Sequence, residues 1–516
     1  MVAPLKTTSI TAPGFYGLNT TDSEVTLDNK FARSAENCII DEGGRIASRR
    51  GWQYVAQTDP VSTINLKGLH HFVDIDGAEY FGCWSDTAFY VRDGGDLNTV
   101  TYTNTPGVNT VTTGNWQAAT LNDAAYLFQR GYEPIYFNPT TGVLDDITTQ
   151  GKGTPPQANT VLSAYGRLWV ADTPTNKTTV YWSNLLDGAE WRSGTGTVGS
   201  LDISGILVYG NDEIVGLGAH NGRLIIFCKN NIIIMDDQSA GKQYLDPADM
   251  SLVEVINGVG CIARDSIVNT GTDILFLSES GVRGLSRTIQ EKSQPMRDIS
   301  RNVRDTLNEQ TSRADKDQIR AVYSDRFGFY LLAIPDEQTV WCFDMKQALQ
   351  DGSARVTRWN GLDHTSWHTV DGDMFMTNTQ GMAQYFGYQD NGNPYQMQYY
   401  TNYFDFQLPN LIKIVKKVGA TIFGSIGQTF VSKVGFDYKD SYTSYNMTVS
   451  SANPAFYNID EYNTTAEYSS GVAVENVKIS AGGSGFVVQL GFESAINGGF
   501  LSIQQIDLYV KQGRLN

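Results

Sequence analysis

Cysteine is scarce. The five in 516 residues, Cys38, Cys83, Cys228, Cys261 and Cys342, are odd in number, scattered, and form no C-x-x-C pair. That excludes a disulfide scaffold and leaves a zinc site without a ligand pattern. They read as buried free thiols, Cys228 and Cys342 within strand interiors. No apolar run approaches the roughly 20 residues of a membrane helix. Met1 to Gly17 holds one lysine and no apolar stretch, so neither a secretory leader nor a membrane span is expected. Positive charge is short: 38 Lys+Arg against 55 Asp+Glu give a formal net charge of −17. A protein that grips phosphates usually presents a basic face. An acidic wall repels them, so DNA can slide past without sticking. Helical periodicity is also scarce, and no His-Glu-x-x-His, P-loop or G-x-S-x-G context occurs.

What is abundant is short apolar runs rich in Val, Ile, Tyr, Phe and Trp, punctuated by Gly, Asn and Asp. That is the pattern of short strands joined by tight turns. A turn leading into one strand, followed by a linker and a second strand, recurs seven times. The pairs are 76–82 with 88–91, 122–128 with 134–137, 166–170 with 179–183, 221–227 with 232–235, 271–277 with 281–285, 327–332 with 339–343, and 371–376 with 382–386. The repeats begin near 77, 123, 166, 222, 271, 327 and 372. A spacing of about 40–50 residues, longer in two copies, matches a four-stranded propeller blade. One such sheet cannot bury both faces, but radial stacking does so and removes exposed edges.

The expected fold is therefore all-β: a β-propeller of six to eight blades over 61–400, an N-terminal extension over 1–60, and a C-terminal β-sandwich-like domain over 401–516. The extension holds a hairpin, with Cys38 to Ile40 as one strand, a turn at Glu42 to Gly44, and a return from Arg45. The apolar series Ile299, Val303, Leu307 predicts one short inserted helix near 299–316, with Asp298 or Ser300 as its cap. In the C-terminal unit, 413–418 and 500–510 read as strands, while the polar runs Tyr442–Tyr445 and Thr464–Ser470 read as loops.

A search for chemistry returns structural readings. His364 and His368 are four apart around Trp367, a metal-binding spacing on a helix, but the stretch reads as strand and turn. Gly482-Gly483-Ser484-Gly485 precedes strand residues, whereas a phosphate cradle needs a helix N-terminus. Asp76, Asp273, Asp371 and Asp373 recur near strand starts, which favours turn geometry over a pair of catalytic carboxylates. Trp169, Trp182 and Trp341 lie inside apolar strands and read as blade packing. Tyr395, Tyr399, Tyr400 and Tyr403 cluster at the boundary of two units and read as a docking interface. Asn176-Lys177-Thr178 fits a glycan-acceptor triplet, which has meaning only on a secretory route. No catalytic, cofactor-binding or metal-binding residue is assigned.

Three stretches carry a family resemblance. The first is Ala12-Pro13-Gly14-Phe15-Tyr16-Gly17-Leu18-Asn19-Thr20 with Ala35-Glu36-Asn37-Cys38 and Gly43-Gly44-Arg45-Ile46 through Gly51-Trp52. The second is Gly166-Arg167-Leu168-Trp169-Val170-Ala171 with Val180-Tyr181-Trp182-Ser183 and Asn211 through Phe227. The third is Ile496-Asn497-Gly498-Gly499-Phe500-Leu501-Ser502-Ile503-Gln504-Gln505-Ile506 with Gly513-Arg514. In these the chain resembles the tail nozzle proteins (tail tubular protein B) of short-tailed, T7-like bacteriophages.

The resemblance implies a non-enzymatic virion tail protein without a cofactor. Six copies would form a ring below the adaptor (head–tail connector) protein. That ring would retain double-stranded DNA and conduct it during ejection, with tail fibres or other tail proteins at its flank. The chain is shorter than the best-known nozzle of this kind, so tip or insertion domains are expected to be missing. The lumen-facing loops are expected to carry net negative charge. The rival readings are a propeller glycosidase or lyase and a carbohydrate-binding module.

Overall fold

The computed structural model describes residues 5–24, 27–104, 114–194, 197–207, 212–237, 246–291, 298–362, 364–449 and 472–513. Thr464–Ser470, Asn211 and Arg514 lie outside the described residues. The middle of the chain is a seven-bladed β-propeller. Blade 1 consists of Gly68–Val73, Glu79–Trp84, Phe89–Asp93 and Asp96–Val100. Blades 2, 3 and 4 occupy 117–146, 160–202 and 214–257, each a four-stranded antiparallel sheet in sequence order. Blade 5 has three strands, Val268–Asn269, Ile274–Ser278 and Gly281–Gly284, followed by the helix Leu285–Glu291. Blade 6 runs from Arg320–Ser324 through Arg355–Asn360. Blade 7 takes Ser366–Val370, Asp373–Thr377 and Gly381–Tyr385 from late in the chain and Trp52–Gln57 from early in it. The innermost strands contact one another in cyclic order, so the ring closes. It closes without a covalent link, through the pairing of Trp52–Gln57 with Gly381–Tyr385.

The seven repeat starts fall in the hairpin joining the first and second strands of each blade. In blades 3, 4 and 7 the hairpin is a two-residue loop, Tyr165-Gly166, Asn221-Gly222 and Asp371-Gly372, with both residues at positive φ. Such a loop twists with its strands, and glycine adopts its second position without a Cβ penalty. Apolar residues alternate across each blade and meet the next blade. The core is therefore divided among seams. Phe81, Cys83, Phe375 and Met382 fill the seam of blades 7 and 1, while Phe227, Ile234 and Phe276 fill that of blades 4 and 5.

The rest is a two-sheet sandwich drawing on both chain ends. Leu5–Thr11 pairs along Leu501–Gln512, which also pairs with Lys413–Ser425. The hairpin Cys38–Ile40 with Ile46–Ser48 joins the same sheet. The facing sheet holds Gly17–Leu18, Phe31–Glu36, Tyr395–Thr401, Val488–Ile496, Thr429–Phe436 and Tyr442–Thr448. It is continuous with the outer strand of blade 6 through Gly17 opposite Val356. A Cβ on Gly17 would lie 2.5 Å from the Val356 carbonyl oxygen, so glycine lets the two modules share one sheet.

Two sequence expectations are corrected. Tyr442–Tyr445 is part of an edge strand and not a loop, because its backbone pairs with Thr429–Phe436. The inserted helix begins as a 3₁₀ turn at Arg301–Val303 and is α-helical over Arg304–Arg313, with a second short helix at Leu285–Glu291. Neither Asp298 nor Ser300 caps it: Asp298 pairs with Arg304, and the Ser300 hydroxyl accepts from the Val282 amide (3.0 Å).

Candidate functional site

The propeller axis holds two layers of polar side chains. The outer layer sits at the mouth where the innermost strands begin. Asp265, two residues after the buried Ala263, accepts bidentately from Arg264 (Nε to Oδ1 3.0 Å, Nη2 to Oδ2 2.7 Å). It also pairs with Arg320 Nη1 (2.8 Å) and accepts from Gln117 Nε2 (3.0 Å). Gln117 Oε1 in turn accepts from the Val161 amide (2.7 Å). Arg264 Nη1 donates to the Asn159 carbonyl (2.7 Å). One ion triad thus ties blades 2, 3, 5 and 6 across the channel. Burial pushes the Asp265 carboxyl up, but Arg264 and Arg320 outweigh it and hold the group below its ordinary value. Burial costs Arg320 more than Asp265 returns, so its guanidinium sits below its usual value, and it remains charged.

The inner layer is histidine. His70 and His71, on the innermost strand of blade 1, face His368 on that of blade 7, at ring-centroid separations of 6.0 and 6.4 Å. His70 Nε2 lies 2.8 Å from Thr120 Oγ1 on blade 2. Protein surrounds the rings although the channel leaves them partly accessible. Burial, then the neighbouring imidazoles, lowers His70 to about 3 and His368 to about 4.

Beside the mouth, under the helix Arg304–Arg313, lies a cleft of about 440 Å³ lined by Arg130, Asp172, Lys229, Arg264, Asn308 and Lys316, among others. One of its carboxylates is already paired: Asp172 is buried and holds both Arg130 and Lys177.

The residues singled out in the sequence are dispersed. His364 is buried in the loop ahead of its blade-7 strand, its Nδ1 3.1 Å from the Leu362 carbonyl, and His368 joins the channel trio instead. Asp76, Asp273, Asp371 and Asp373 occupy first-hairpin turns or adjoining strand starts of blades 1, 5 and 7. Asp273 accepts from Ser286 N (2.8 Å) and Asp373 pairs with Arg326 (2.7 Å). In blade 1 the turn carboxylate is Asp74, which accepts from the Asp76 and Ala78 amides. Ser484–Gly485 pairs with the start of Lys413–Ser425. Trp169 and Trp182 pack at 5.5 Å inside blade 3. Trp341 is buried and donates to Gln310 of the helix (2.8 Å). Among the described residues no group of three or more His, Cys, Asp or Glu is placed to hold a metal ion. No described helix is long and apolar enough to cross a membrane.

The junction between the modules is built on Arg49, which is fully buried. It forms a bidentate pair with Asp390 (2.8 and 2.7 Å), donates to Asn37 (3.0 Å) and stacks 4.0 Å from the Tyr395 ring centroid. The Tyr395 hydroxyl donates back to the Arg49 carbonyl. Arg358 of blade 6 pairs with Glu36 of the sandwich at 2.6 Å. Of the four clustered tyrosines, Tyr395 serves this junction. Tyr399 is buried inside the sandwich against Phe15, Tyr400 bonds Glu493, and Tyr403 packs on Tyr438.

No protein-family model matches the chain, and neither does any curated protein. Among solved structures it is similar to PorZ, an essential bacterial surface component of the type-IX secretion system of Porphyromonas gingivalis, at 10% identity and a TM-score of 0.35. That alignment covers 77% of this chain and 46% of PorZ, so the chain spans just under half of that protein. It is also similar to the Neurospora crassa Pan2 WD40 domain (9% identity, TM-score 0.37, 66% of this chain and 96% of that one). A third is the WD40 β-propeller domain of Doa1 (9% identity, TM-score 0.35, 65% of this chain and 96% of that one).

Proposed function

We propose that the chain is a wall subunit of a bacteriophage tail nozzle, assembled as a six-copy ring below an adaptor protein and conducting double-stranded DNA during ejection. The observation that carries the reading is mechanical. A closed propeller and a two-sheet sandwich share a continuous sheet and are pinned by the buried Arg49–Asp390 pair, while the Arg264–Asp265–Arg320 triad bonds to blade 2 across the propeller's centre. DNA would therefore pass along an axis shared between copies, not through any one chain, and rigid blocks are what such a wall requires. The residues of the resemblance occupy framework positions: Phe15 is buried in the sandwich, Gly17 stands where the modules fuse, and Gly51 abuts Gln389. The net charge of −17 suits a wall past which phosphates move without sticking. The test mixes the purified chain with the adaptor ring and images the product by electron microscopy. A sixfold ring coaxial with the adaptor, with carboxylate-rich loops toward the bore, is expected. A chain that stays monomeric beside the adaptor and turns over or binds glycans refutes the proposal, as does a bore lined with Lys and Arg.

A further inference from the structure

Three of the chain's five histidines meet at one seam, the one where the ring closes on itself. His368 comes from the innermost strand of blade 7 and His70 and His71 from that of blade 1. Blade 7 is held shut by a strand, Trp52–Gln57, that arrives from the other end of the propeller. The groups facing the trio come from four directions. Blade 2 contributes Thr120, 2.8 Å from His70. The second strand of blade 1 contributes Phe81, 4.7 Å from the His71 ring, and Glu79, whose half-exposed carboxylate lies 3.5 Å from His71 Nε2. The third strand of blade 1 adds Arg92, whose guanidinium stands 5.4 Å from the Phe81 ring and brings a further positive charge. Blade 6 contributes the uncharged Tyr323 carbonyl, which accepts from Thr369 next to His368 (3.1 Å). Glu79 therefore answers His71, while His70 and His368 face hydroxyl, ring and imidazole.

We propose that the seam between blades 7 and 1 is an acid-sensitive latch: protonating His70 and His368 sets two cations about 6 Å apart in the channel wall and opens the ring at its point of closure. The sign follows from burial. Both imidazoles are lowered from 6.5, so at neutral pH the closed ring holds them neutral and its stability is complete. As pH falls below 6.5 an open seam binds protons that the closed one resists, and stability is lost. At pH 5 each histidine has crossed 1.5 units of that window, so the closed-to-open ratio falls by up to about 30-fold per residue, or about 10³ for the pair, less whatever channel water screens.

The test is amide hydrogen exchange of the full chain at pH 7.5 and 5.0, corrected for intrinsic exchange. Peptides covering 52–57, 68–73 and 366–370 are expected to lose 10²–10³ in protection relative to blades 3 and 5 (160–202 and 268–284), whose described residues contain no histidine. His368→Gln, checked first at pH 7.5 for intact protection, is expected to recover at least tenfold of that loss. Equal acid responses in seam and reference blades overturn the proposal, as does a variant that behaves like the parent. Should the variant fail to fold, histidine C2 deuteration of the parent decides: midpoints below 5 for His70 and His368 support the latch, and midpoints at 6–6.5 refute it.

Discussion

Replacing Asp265 by Asn removes one negative charge from a site that holds two buried guanidiniums. The side chains of Arg264 and Arg320 are 4% and 9% exposed, and that of Asp265 is 16% exposed. Three charge-assisted contacts, at 3.0, 2.7 and 2.8 Å, converge on this carboxylate. The amide keeps the shape but turns one acceptor into a donor aimed at guanidinium N–H groups, leaving two like charges together in the channel mouth. Breaking a buried pair by removing one partner costs roughly 3–5 kcal/mol. At 1.36 kcal/mol per decade this is about 10²–10⁴ in opening equilibrium. Because a chain this size unfolds in more than one step, the loss is best read locally, by hydrogen exchange of Gln117–Leu121, Thr160–Ala164 and Arg320–Ser324. Arg320→Met is the control: it leaves Asp265 paired bidentately with Arg264, so no buried charge is stranded, and it is expected to cost about 1–2 kcal/mol. If Asp265→Asn costs less than 1 kcal/mol, or no more than Arg320→Met, the triad does not hold the blades together. The pH dependence separates this layer from the histidines. A carboxyl held low keeps its full contribution down to the ordinary aspartate value of about 4 and loses it only below that, whereas the imidazole contribution fades from about 6.5 downward.

Two further outcomes are expected. Gly51→Ala would place a Cβ 1.9 Å from the Gln389 carbonyl oxygen, pushing apart the chain segments that lead into the closing strand; a loss of about 3 kcal/mol or more is expected in denaturant titration, against about 1–2 kcal/mol for Gly222→Ala, where φ is +76° but the space is open. All five thiols are buried, and burial raises Cys83 to about 12 and Cys261 to about 11, so a thiol reagent at pH 8 should find none in the folded chain and five after unfolding; one fast equivalent in the native state would contradict the packing described for the blade seams.

The blade repeat was legible because its signal is local. An Asn-Gly or Asp-Gly step between apolar runs fixes a hairpin wherever it stands, and the turns at 166, 222 and 372 are of that kind or close to it. The short helix showed through the spacing of Val303 and Leu307, both buried. The tyrosine cluster was legible as an interface in Tyr395 alone, since sequence density cannot say that Tyr399 points into the sandwich. The channel trio was hidden for a similar reason. Spacing linked His364 to His368, but His364 lies ahead of the strand, and the partners of His368 stand some three hundred residues away on a neighbouring blade.

By itself the sequence determined short antiparallel strands, the turns between them, an acidic surface and the need to bury two faces per sheet, because each follows from nearest-neighbour backbone preferences and side-chain polarity. Tertiary structure alone decided that Trp52–Gln57 would complete blade 7, that Leu5–Thr11 would lie along Leu501–Gln512, and that Asp265 would meet Arg320 of the neighbouring blade. Ring closure brings these groups together. Its free energy comes from capping an otherwise unpaired sheet edge and filling the last seam, a property of the assembled set of blades that no single stretch of residues encodes.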